Sequence, residues 1–210
     1  MTQLLHIFAK GLRFDTQVQY TVSGASGRRY RNLPLGNPDS VQAADSGPFC
    51  LAQCVAVLGQ LPFNEAAAHL SRRGFTQDGR WMDGAQIHLG EASIRMRLVE
   101  SGLPAAIGSA AGAAVQHGHM CMVQFCSAKS SVWVTVTGVE MDSTTGHIRT
   151  LLLLDPTACE PWGTCHNTRL ELLGKAGRAV PASAGYGLHY RHLDGKASAV
   201  RLQGLLVLSL

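Results

Sequence analysis

The chain has 210 residues, 46% of them hydrophobic and only 15% charged, with a formal charge of +4. That length suits one domain with a real core, and the composition excludes a disordered chain. The basic residues are scattered apart from "GRRYR", Gly27 to Arg31, which reads as a solvated loop, so no nucleic-acid partner is expected.

In chain order, the N-terminus "MTQLLHIFAK" lacks a basic start, a long apolar segment and a small-residue cleavage site, so it does not read as a signal peptide. No apolar run reaches the roughly 18 residues of a membrane helix. A cytoplasmic protein with no membrane partner is the expectation, and six cysteines there are expected as reduced thiols. Delivery to another cell by a dedicated secretion system is compatible with this. Residues 1–39 read as an extension packing on the domain, with a strand-like "QVQYTV" at Gln17 to Val22. Residues 40–210 read as a single domain.

Apolar spacing of three and four at Cys50, Leu51, Cys54, Val55 and Leu58 predicts a helix over Gly47 to Leu58, stopped by Gly59. A second helix follows, capped by Asn64. A short helix is expected around Asp83 to Leu89, with Asp83 as its cap, and then a half-buried strand "SIRMRLV". A small-residue helix lies near Ser109 to Gln116. Beyond it, "MCMVQF", "VWVTVTGVEM", "HIRTLLLLDP" and "AVRLQGLLVLSL" read as strands. With helices first and strands second, the expected class is α+β, a helical N-terminal half packed on a C-terminal antiparallel sheet.

A thiol at a helix N-terminus is a chemically sensible nucleophile, because the free amides and the positive dipole end stabilise the thiolate. It needs a His as base and an Asp or Asn to orient that His. "DSGPFCLAQCVAVLG", Asp45 to Gly59, resembles the nucleophile helix of papain-like cysteine peptidases of the bacteriocin-leader-processing (double-glycine) family. "VWVTVTGVEMDSTTGHIRTLLLLDP" resembles that family's strand, hairpin and returning strand ending in Asp-Pro, and "EPWGTCHNTRLEL" the segment that often follows. The similarity spans Ser40 to Leu172 and implies a papain-like fold with a peptide-binding cleft between its halves.

Carried over position by position, the catalytic Cys falls on Ser46 and the His on Val132. The oxyanion-stabilising Gln falls on Ser40, with Gln42 nearby, and the orienting Asp is kept as Asp155. A valine accepts no proton, and a serine without a base is a poor nucleophile. The resemblance therefore implies a pseudopeptidase that binds a peptide or protein segment in the former cleft, with Gly47, Trp133 and Trp162 along it. The alternative is an active cysteine peptidase, either with Ser46 standing in for a cysteine or with Cys50 as nucleophile. His117 and His119, just before a strand, read as a solvated turn rather than a relocated base, and His147 sits at a hairpin tip.

No cofactor is expected. Cys121, Cys126, Cys159, Cys165 and His166 lack the short ligand spacing of a zinc knuckle, so no metal site is assigned.

Overall fold

The computed structural model describes residues 4–9, 46–72, 83–128, 130–157, 166–172, 188–192 and 195–210. The strand expected at Gln17 to Val22 lies outside them, as do Ser40, Gln42, Trp162, Cys159 and Cys165. The described elements run β1 (Leu4–Phe8), α1 (Ser46–Gly59), α2 (Phe63–Arg72), β2 (Gln86–Leu89), β3 (Ala92–Glu100), α3 (Pro104–Gln116), β4 (Met120–Cys126), β5 (Ser131–Asp142), β6 (Ile148–Leu154), β7 (Thr168–Glu171), β8 (Leu188–His192) and β9 (Ala197–Ser209).

Strands account for 49% of this and helices for 27%, and six of the strands close on themselves. From β5 to β9 each strand pairs antiparallel with the next, and β4 joins both β5 and β9. The result is a closed six-stranded antiparallel barrel, which corrects the α+β papain-like expectation of a helical half packed on a sheet. The pairing that closes it, Met120 with Leu208, joins residues far apart in sequence, where local periodicity carries no information. Nor do helices precede strands, since β1, β2 and β3 all come before α3.

Two long strands make the closure possible by serving two neighbours along one edge. The first half of β5 pairs with β4 and its second half with β1; β9 pairs first with β8 and then with β3. Register shifts leave Thr137 as an extra residue on β5 and Gln203 on β9. Such bulges sharpen the bend and twist of a strand, as a small barrel requires.

Residues 83–89 are not a helix. Leu89 pairs with Ala92 across a two-residue loop in which Gly90 has φ +60°, a conformation suited to a tight hairpin turn. Asp83 instead accepts a hydrogen bond from the Leu98 amide at 2.8 Å, serving the edge of β3.

The helix α1 is buried on nearly every side, from Cys50 through Leu58. It ends differently from expectation. Gln60, not Gly59, holds the left-handed turn at φ 51°, while the Gln60 and Leu61 amides return to the Val57 and Ala56 carbonyls at 3.3 and 2.9 Å. A bend of 117° then leads into α2. No single helix among the described residues is long and apolar enough to cross a membrane.

The edge strand β1 is held by shape and charge. His6 lies opposite the buried Glu140, 3.3 Å away, and Glu140 also accepts from Arg169 of β7 at 2.6 Å. Phe8 lies opposite Gly138, where a Cβ would come 2.7 Å from Phe8 Cδ1 and 2.8 Å from the Ile7 carbonyl oxygen. Because one of those atoms is backbone, a side chain there must displace the strand. Gly138→Ala is expected to lower the unfolding free energy by about 1–3 kcal/mol, the usual cost of overpacking. Chemical denaturation measures it, and an unchanged midpoint would refute this docking of β1.

Candidate functional site

The N-terminus of α1 meets β5 through a seam of polar contacts. Ser46 Oγ accepts a hydrogen bond from the Trp133 amide at 3.0 Å. One turn on, Cys50 Sγ donates to the Trp133 carbonyl at 3.3 Å, and a further turn on, Gln53 Oε1 accepts from Thr135 Oγ1 at 2.6 Å. Positions 46, 50 and 53 lie on one helix face. The pairing of β6 with β5 ends at Thr135 opposite Leu154, so α1 takes over the Trp133 backbone just beyond that ladder. Both polar groups of that peptide are thereby satisfied in a buried setting.

Asp155 follows the last residue of β6 and is held on every side. The Asn167 amide clamps its backbone, accepting from the Asp155 N–H and donating to its carbonyl, both at 2.7 Å. Its Oδ1 accepts from the Thr157 amide and hydroxyl, each at 2.7 Å, and its Oδ2 from the Tyr190 hydroxyl of β8. The Tyr190 ring packs on Phe125, with centroids 4.6 Å apart, and Phe125 is the cross-strand partner of Val132. Cross-strand partners share a face, so Val132 lies on the side of the sheet that carries Phe125 and Tyr190. His192, two residues along β8, stands edge-on to Tyr190 at 5.0 Å.

The structure thus brings Ser46 to the Val132–Trp133 segment, and Asp155 reaches the surroundings of Val132 through Tyr190. Gly47 is buried beside Ser46. Among the described residues these contacts form a buried polar knot, with Ser46 1% exposed, Asp155 3% and Trp133 4%. Trp133 belongs to the core. Tyr190 escaped the sequence reading. Its short strand alternates apolar and polar residues, but nothing local shows that its hydroxyl meets a carboxylate 35 positions away.

Cys50 is fully buried, and burial pushes its thiol up to about 12, with the Asp155 charge adding to the effect. Burial, then the neighbouring Cys50 and Cys121, raises the Cys54 thiol as well. Protonated, enclosed thiols are poor nucleophiles. The relocated-base positions offer no remedy. His117 is exposed, with Nδ1 2.7 Å from the Ala113 carbonyl oxygen, and its ring lies 6.0 Å from that of His119. Cys121 and Cys126 are both buried, and no group of three or more His, Cys, Asp or Glu residues suited to a metal ion occurs among the described residues.

Comparison with protein-family models and with the curated proteins finds no match.

The buried acids give the protein a defined response to alkali. Burial raises Cys50 and Cys121 from 9.0 to about 12, and burial with the Asp155 charge raises Tyr190 well above 10.0. Each group ionises more readily in the unfolded chain. Its contribution is therefore fully present below the unfolded pKa and lost as pH rises toward the folded value. Stability should hold to pH 9 and fall beyond it, and Tyr190→Phe should make the fall above pH 10 shallower. Near neutrality, that same change should cost about 1–3 kcal/mol by depriving a buried carboxylate of a donor. Urea unfolding across the pH range reads both effects.

Proposed function

We propose that this chain is a non-catalytic relative of cysteine peptidases, a pseudopeptidase that acts by binding a peptide or protein segment. The observation that carries this reading is the fate of the nucleophile position. Ser46 Oγ serves as acceptor for the Trp133 amide at 1% exposure, beside a valine where a base is required. A hydroxyl so engaged, beside a side chain that accepts no proton, does not attack a carbonyl at a useful rate.

The state of Asp155 supports the same reading. An orienting carboxylate must have an oxygen available for the imidazole N–H. Here Oδ1 accepts two hydrogen bonds from Thr157, and the Tyr190 hydroxyl competes for Oδ2, where an imidazole would have to donate. The alternative in which Cys50 attacks requires a thiolate at a site where burial holds the proton on.

Three experiments test this. The protein should leave extended peptides intact at neutral pH, and cleavage abolished by Ser46→Ala would overturn the reading. Cys50 should react with iodoacetamide only on unfolding, at the same rate as Cys54. Reconstruction should require more than the two missing groups. A positioned base contributes about 10²–10⁴-fold, so Ser46→Cys with Val132→His should turn over slowly, and adding Tyr190→Phe should raise the rate by freeing Asp155. An equal rate in the two reconstructed proteins would show that Tyr190 does not compete for the carboxylate.

A further inference from the structure

The opposite end of α1 carries an open groove of about 620 Å³, far from the buried polar knot. Thirteen helical steps separate Ser46 from Gly59, on the order of 20 Å. The floor is apolar. Leu61 and Leu89 are half-buried, and they close over Gly59, where a Cβ would lie 2.7 Å from Leu89 Cδ1. One wall is the exposed face of α2, with Glu65, Ala68 and Arg72 at spacings of three and four. The other is the tip of the β2–β3 hairpin.

The wall charges are available. Glu65 and Arg72 are exposed, and neither has an ion-pair partner among the described residues, although both border the groove. They stand seven positions apart on one face, about 10 Å along the helix axis. An extended chain covers that distance in about three residues. We propose that this groove binds a short extended peptide segment with a basic residue, two apolar residues and an acidic residue in succession. The apolar pair enters between Leu61 and Leu89, the basic residue meets Glu65, and the acidic residue meets Arg72. This rests on the peptide-binding reading given above and moves the binding surface from the buried knot to the far end of α1. A volume of this size fits a few side chains. The opposed charges select mixed-charge segments over those of one sign.

The test uses the full chain and end-capped synthetic peptides with the cores Lys-Leu-Leu-Glu, Lys-Leu-Leu-Lys, Glu-Leu-Leu-Glu and Lys-Ser-Ser-Glu. By fluorescence anisotropy the mixed-charge apolar peptide should bind about fivefold more tightly than either like-charged one, the size expected for exposed pairs. The serine peptide should bind least. Arg72→Glu should reverse the order in favour of Lys-Leu-Leu-Lys, and Ala68→Trp, an exposed change that fills the groove, should abolish binding. Methyl shifts of Leu61 and Leu89 should report the contact. The proposal is overturned if no peptide binds more tightly than about 1 mM, if affinity ignores the charge at position 72, or if the shifts cluster around Trp133. Hydrolysis of the peptides, followed in the same samples, bears instead on the non-catalytic reading. The two proposals can therefore fail separately.

Discussion

The fold depends on how the backbone of Trp133 is satisfied. The strand β5 continues past its last partner on β6, leaving a peptide whose polar groups would otherwise be buried unpaired. An unsatisfied buried peptide group costs about 1–3 kcal/mol, enough to compromise a marginally stable domain. Ser46 and Cys50 supply the acceptor and the donor from successive turns of α1, and Gln53 extends the seam to Thr135. These bonds are directional, so they set the rotation of α1 against the barrel. Its apolar residues are then free to bury on every other side, at about 1.5–3 kcal/mol for each large side chain.

That constraint reassigns the residues that resemble catalytic ones. A serine at a helix start beside a strand amide accepts a hydrogen bond well, so the motif retains a structural use without a nucleophile. The same holds for Asp155. An acidic side chain buried without partners is costly, and here two hydroxyls and an amide donate to it while Asn167 fixes its backbone. The carboxylate is a cornerstone of the turn after β6, and through Tyr190 it ties that turn to β8 across the barrel.

Legibility in the sequence followed the range of the interactions. The stripe of Cys50, Leu51, Cys54, Val55 and Leu58 located α1 within a residue or two, because helix periodicity is local. The long apolar strands β4, β5, β6 and β9 were readable for the same reason. The run from Asp83 to Leu89 reads as a short helix but forms the strand β2 before the turn at Gly90, although a glycine between two alternating runs is a hairpin signal. The strands β7 and β8 are four and five residues long, too short for their alternation to stand out. Barrel closure was beyond reach, since it depends on which distant strands find each other. The engagement of Ser46 by the Trp133 amide and of Asp155 by Tyr190 is not legible in the sequence, because each partner lies far away along the chain.

The two ends of α1 therefore impose different constraints on chemistry. At its start, Ser46 Oγ, Cys50 Sγ and both Asp155 carboxylate oxygens are engaged within the protein, while the buried Trp133 Nε1 has no hydrogen-bond partner among the described residues. At its end, Gln60 accepts an unfavourable left-handed conformation, about 1–2 kcal/mol for a residue with a side chain. That turn sends Leu61 and α2 off at a steep angle, opening the space that the β2–β3 hairpin borders. Polar groups satisfied internally stabilise the fold but recognise nothing, whereas Glu65 and Arg72 remain available beside exposed apolar surface. The charges of Glu65 and Arg72, unpaired among the described residues, thus belong to the C-terminal end of α1, beside the groove.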